Sequence, residues 1–200
     1  SWLRSYGDAE WNDNLDANRT ERGTLVTQYA KESEQSRISG QIAKDEQIDL
    51  SPGEHSGLIR AIIEDFGSRF TPGSVLLYVG DTGDKWAYFN SSQLAELGVS
   101  VDAHGKMPDV VLYYPTKNWL VLVESVTSHG PVDGKRHAEL AKLFTESKVG
   151  IVYVTAFPNR MNMARYLGES EWETEGWVAD APSHLIHFNG ERFLGPYKDA

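Results

Sequence analysis

The alternation of apolar and polar positions divides the chain into a weakly patterned opening and a strongly patterned remainder. Residues 1–50 are polar, and within them Thr20–Arg37 carries a short apolar stripe of Leu25, Val26 and Tyr29 that predicts one helix, weakened by Gly23. The turn chemistry of SPGEHSG then leads into LIRAIIEDF, where Leu58, Ile59, Ile62, Ile63 and Phe66 share one broad helical face. TPG ends that helix. SVLLYVG (Ser74 to Gly80) is a short β-branched run and predicts a strand; GDTGDK comes next as a tight loop, KWAYFN as a second strand, and SQLAELG as a short helix closed by Gly98.

Two further strands, PDVVLYY and WLVLVESV, flank the turn PTKN, whose Pro pre-sets the backbone for turning. KRHAELAKLF is an amphipathic helix with His137, Leu140, Ala141 and Phe144 inward and Asp133 as its cap. VGIVYVTAF is too uniformly apolar to alternate, which predicts a strand buried on both faces. EGWVAD and HLIHF are short strands, and Asn189-Gly190 predicts a hairpin from HLIHF into ERFLG. From residue 57 the order is helix, three strands, helix, strand, with additions. That is an α/β fold with a mixed central sheet flanked by helices. The expected division is a helical extension over 1–50 and a main domain over 51–200.

Composition narrows this picture. Two hundred residues are enough for one self-sufficient core. The absence of Cys excludes disulfides and thiolate metal sites and agrees with a reducing cytoplasm. No apolar run approaches the ~18 residues of a membrane span, and no signal-peptide pattern opens the chain at Ser1. The formal net charge of −10 argues against a general nucleic-acid coat protein. It leaves room for an acidic metal site beside a local basic patch.

Candidate chemistry collects at one end of the predicted sheet. With PTKN as the turn, Asp109 and Glu124 fall directly opposite each other on one face, with Cβ atoms about 4.5–5.5 Å apart. Carboxylates that close repel unless a cation joins them or a proton is shared. An antiparallel neighbour over 74–80 delivers Asp81, Asp84 and Lys85 to the same rim. The helix beginning at Lys135 starts there, and a right-handed crossover makes 149–156 parallel to the Glu124 strand, ending in AFPNR at that rim. Hard oxygen ligands of this kind suit Mg²⁺, which takes one or two carboxylates and keeps several waters.

The stretches YVGDTGDKWAYF, KMPDVVLYY, NWLVLVESVTSHGPVDGKRHAEL, VYVTAFPNR and WETEGWVADAPSHLIHFNG resemble the catalytic domain of the BsuBI/PstI type II restriction endonucleases, within the PD-(D/E)XK nuclease superfamily. The resemblance covers about residues 20–197. It implies an αβββαβ core, with Pro108-Asp109 as the PD pair and Glu124 as the second-motif acid. It implies Mg²⁺ held by Asp109, Glu124 and the backbone carbonyl of Ser125. The superfamily pattern departs at one place: Val126 stands where a lysine belongs, on the same strand face as Glu124. Lys135 is the first candidate to replace it, with Lys85, Lys106 and His129 as rivals. The helix acid common in the superfamily falls on Asp65 in preference to Glu64.

The same resemblance implies cleavage of double-stranded DNA at CTGCAG or a related palindrome, and hence a homodimer matching the two-fold symmetry of its target. It implies a bacterial or archaeal cytoplasmic enzyme whose cognate methyltransferase acts on the same site without implied contact. Full-length members carry a further N-terminal DNA-binding region, and residues 1–50 are expected to be the remnant after it. Arg136, Arg160 and Lys117 are candidate DNA contacts, with Arg69 and Arg165 behind them.

Plainer readings stand beside these. Asp109 alone suits a strand entry after Pro, and Glu124 alone suits a rim salt bridge to Arg136. GDTGDK serves equally as a turn. His184 and His187 alternate onto opposite strand faces and make a poor metal pair, and Trp172 and Trp177 read as packing residues. The missing lysine also leaves open a second class of function: a domain that binds DNA or a partner protein without cutting.

Overall fold

A computed structural model of the chain describes residues 38–43, 46–80, 86–100, 106–127 and 130–190. The helix expected over Thr20–Arg37 lies outside the described residues. Residues 38–50, expected within a helical extension, instead form an antiparallel hairpin of β1 (Ile38–Ala43) and β2 (Glu46–Leu50). This hairpin belongs to the compact unit that runs from Ile38. Its physical basis is the burial of Ile48 and Leu50 in the main core, which alternation over EQIDL allows and a helix of that sequence does not reward.

The remaining elements keep the predicted order. A long helix runs from Glu54 to Phe70 as α1 (Glu54–Ala61), a π-helical turn (Ile62–Phe66) and α2 (Gly67–Phe70). Strands β3 (Val75–Val79), β4 (Tyr88–Phe89), β5 (Val110–Tyr114) and β6 (Trp119–Ser125) are antiparallel neighbours, with α3 (Ser91–Glu96) between β4 and β5 in sequence. Helix α4 (Gly134–Leu143) crosses over to β7 (Gly150–Phe157), which lies parallel to β6. After α5 (Arg160–Tyr166), β8 (Thr174–Val178) is parallel to β7, and β9 (Leu185–Phe188) closes the edge antiparallel. The seven-stranded order is β4-β3-β5-β6-β7-β8-β9.

Alternation on the central strands explains the layers. Val121 and Val123 of β6 face α1 together with Leu58, Ile59, Ile62 and Phe66; Leu120 and Leu122 face the other way, onto Leu140 of α4 and Phe144 just past its end. Both faces of β6 are therefore apolar until Glu124. Asp133 caps α4 by accepting the N–H of Arg136 at 2.7 Å, as its position predicts. Gly98 adopts φ 87° to stop the short helix, and a side chain there would collide with the Glu146 carbonyl. No helix among the described residues is long and apolar enough to cross a membrane.

Strand β3 carries one feature that alternation does not foretell. Leu76 and Tyr78 pair with consecutive residues of β5, so the strand bulges at Leu77. Leu77 and Tyr78 then share the α4 face, while Leu76 and Val79 face α1. The bulge re-aims Tyr78 onto the face that carries Glu124.

Candidate active site

The β5–β6 hairpin forms in the register expected from PTKN, with Val110 opposite Val123. One step further, Asp109 and Glu124 meet at the end of the sheet. They line one cavity of about 530 Å³, together with Tyr78, Lys106, Lys135 and Arg136. The Asp109 carbonyl accepts the Gly80 N–H at 2.8 Å, so the end of β3 pins the strand entry.

The two carboxylates sit in different environments. Glu124 faces α4, and Arg136 donates Nε to its Oε1 at 2.8 Å, with Nη2 on the same oxygen at 2.5 Å. The rest of the guanidinium is held by the main chain: Nη1 donates to the Lys106 carbonyl at 3.1 Å and Nη2 to that of Met107 at 3.0 Å. Burial, then the charge of Asp109, pushes the Glu124 carboxyl up to about 7, against the lowering pull of Arg136. Tyr78 is raised too, by burial first and then by Asp109 and Glu124. Asp109 turns around the sheet end. Its Oδ2 accepts both the N–H and the hydroxyl of Ser125, each at 2.7 Å. The Ser125 hydroxyl also lies 2.9 Å from Nδ1 of His55, whose Nε2 is 3.8 Å from Asp109 Oδ1.

The positions predicted from sequence divide accordingly. Asp109, Glu124, Ser125, Lys106, Lys135 and Arg136 are gathered at this end of the sheet. Lys135 is largely exposed at the cavity mouth and pairs with Glu139 at 3.9 Å, so the guanidinium on Glu124 comes from the next residue. Lys117 sits in the turn at the far end of the hairpin, about 17 Å of strand rise from the carboxylates. Asp65 lies in the π-helical turn and does not line the cavity; the residue of that long helix beside the carboxylates is His55, ten positions earlier. Glu64 is taken up by Arg60 at 3.0 Å. Arg160 is exposed at the start of α5, where Asn159 is the cap. Asp81, Asp84, Lys85 and His129 lie outside the described residues, as does the ERFLG arm of the predicted hairpin. His187 pairs across the β8–β9 register with Glu175, and Trp177 is buried with its ring N–H on the Pro182 carbonyl at 3.1 Å.

Val126 is explained by its surroundings. It is buried with Phe157, Met163 and Val178, beneath α5. A lysine there would place its ammonium in an apolar pocket. His55 and Tyr78 are the site residues that sequence reasoning missed. Turn-rich SPGEHSG marks a helix start without saying what that start abuts, and the Tyr78 orientation depends on the bulge.

The donor set suits a hard divalent cation. Among the described residues no cluster of three or more Asp, Glu, His or Cys side chains forms. Two carboxylates on one cavity still meet the requirement of an ion that takes one or two and keeps its waters.

Comparison with known proteins identifies a family. Residues 38–191 match the BsuBI/PstI restriction endonuclease domain. The chain is 62% identical over 196 residues to the type II restriction enzyme BsuBI of Bacillus subtilis, covering 98% of this chain and 62% of that protein. It is 27% identical over 199 residues to the type II restriction enzyme AplI of Arthrospira platensis, covering 96% and 61%. The structure of the SdaI restriction endonuclease superposes with a TM-score of 0.77 at 40% identity, covering 99% of this chain and 62% of that one. The chain thus spans about three fifths of the length of each relative.

Proposed function

The chain belongs to the BsuBI/PstI restriction endonuclease family, and from that premise we propose that it hydrolyses phosphodiester bonds of double-stranded DNA at a specific site, with CTGCAG or a related palindrome as the target. The observation that carries the reading is the placement of Asp109 and Glu124 on one cavity with the Arg136 guanidinium between α4 and the sheet end. Asp109 and Glu124 would hold Mg²⁺. When bound, that ion polarises the scissile phosphate and lowers the pKa of a water beside it.

The protein's own groups do the rest. Asp109 is held in one orientation by Ser125. Arg136 provides a fixed positive charge at the carboxylate pair, the role a strand lysine at position 126 would otherwise have. Its two main-chain contacts keep it there, and a preorganised charge of this kind offsets negative charge developing on phosphate. Lys135 and Lys106, at the cavity mouth, would meet the DNA backbone as mobile point charges. A palindromic target favours a two-fold dimer that presents one site to each strand. The cognate methyltransferase would act on the same sequence independently.

Incubation of a mixed-sequence plasmid with the protein and Mg²⁺, followed by mapping of the ends, tests the proposal. Discrete ends at one palindrome are expected, and Asp109→Ala and Glu124→Ala should each lower the rate by about 100-fold or more. A wild-type protein that shifts the DNA in a gel yet leaves it intact would make this a binding domain.

A further inference from the structure

Ser125 and His55 approach Asp109 from the α1 side of the sheet, whereas Glu124 and Arg136 lie on its α4 side. We infer that His55 and Ser125 form a two-residue clamp that positions the Asp109 carboxylate for cation binding, with His55 acting through Ser125. The inference rests on the reading of Asp109 as a metal ligand.

Proton accounting sets the direction of the clamp. An ionised carboxylate only accepts, so the Ser125 hydroxyl proton goes to Asp109 Oδ2 at 2.7 Å. The hydroxyl oxygen then has only lone pairs for His55, 2.9 Å away. His55 must therefore donate from Nδ1–H. The chain His55 Nδ1–H to Ser125 Oγ–H to Asp109 Oδ2 runs in one sense. The backbone N–H of Ser125 adds a second donor on the same carboxylate oxygen at 2.7 Å. Two donors on Oδ2 fix the plane of the carboxylate and leave metal ligation to Oδ1. Nε2 of the imidazole is 3.8 Å from that oxygen, too far for a hydrogen bond between them.

The sequence places these residues for the purpose. β6 alternation turns Ser125 toward α1, away from Glu124. His55 occupies the first turn of α1, anchored by Leu58 and Ile59 in the core beneath. The helix thus meets the metal-binding end of the sheet with an imidazole rather than an acid. Partners that orient a metal ligand typically contribute 10–100-fold in metal affinity.

The test is calorimetric titration of Mn²⁺ into wild type, His55→Ala, His55→Asn, Ser125→Ala and Asp109→Ala, paired with cleavage rates across a Mg²⁺ series. His55→Ala and Ser125→Ala are expected to weaken Mn²⁺ binding roughly tenfold or more. They should raise the Mg²⁺ needed for half-maximal cleavage in proportion, with most of the rate recovered at saturating Mg²⁺. His55→Asn, whose amide can donate from near the Nδ1 position, should recover part of the affinity. Unchanged Mn²⁺ affinity in His55→Ala overturns the clamp. So does a rate lost at every Mg²⁺ concentration with affinity intact, because His55 would then act on the reaction itself. Asp109→Ala separates the two levels: if it binds Mn²⁺ like wild type, the metal-ligand reading fails, whatever the His55 variants do.

Discussion

The Arg136 guanidinium forks between the Glu124 carboxylate and two main-chain carbonyls, the salt bridge that the plainer reading of Glu124 expects, rather than standing free as a phosphate contact. Planar geometry matters at such a site, so Arg136→Lys is expected to keep the charge yet lose much of the activity, and Arg136→Ala to lose about 100-fold or more, as read from single-turnover cleavage at saturating Mg²⁺. Glu124 makes a prediction about pH. Its carboxyl is raised from 4.5 to about 7, so the folded protein binds that proton more tightly than the unfolded chain does. The associated stability is fully present below pH 4.5 and lost as pH climbs to about 7. Without metal, wild type should lose stability relative to Glu124→Gln across that window, by on the order of 3 kcal/mol at most. Denaturant melts of both proteins at a series of pH values measure the difference, and parallel curves would contradict it. A divalent cation needs the ionised form, so its affinity should rise with pH through the same range.

At the level of elements, Val126 shows why a motif position cannot simply be restored. Helix α5 packs Met163 over the end of β6, and Val126 fills the space beneath. Val126→Lys is expected to destabilise the fold by about 2–4 kcal/mol rather than return a catalytic lysine, since an apolar pocket penalises the ammonium. Urea unfolding of the variant checks this, and an unchanged midpoint would show that the side chain escapes to solvent. The β5–β6 hairpin was legible because PTKN sets the register and the register sets Asp109 against Glu124. The bulge at Leu77 was not, because it depends on how β3 meets β5, and no residue of SVLLYVG announces it.

The whole molecule carries a net charge of −10, which weakens non-specific attraction to DNA. On the proposed reading, phosphate contact would draw on Lys106 and Lys135 among the residues lining the cavity. Duplex binding by a cleavage-deficient variant should be weak and salt-dependent, and replacing both Lys106 and Lys135 by Ala should reduce the slope of log affinity against log salt by about two. Fluorescence anisotropy over a salt series measures the slope; an unchanged slope would move the DNA path elsewhere on the surface.

The sequence alone determined what local rules govern: the turn that sets the strand register, the cap on α4, and the crossover that makes β7 parallel to β6. Periodicity and turn chemistry act between near neighbours, so the strand register that brings Asp109 and Glu124 to one cavity was readable from the chain itself. The tertiary structure decided what meets those carboxylates from a distance. His55 reaches Ser125 across 70 positions of chain, and the Arg136 fork closes on carbonyls about 30 positions earlier. Which side chains converge there depends on how α1 and α4 pack on opposite faces of the sheet, and that packing is a property of the assembled core rather than of any single stretch.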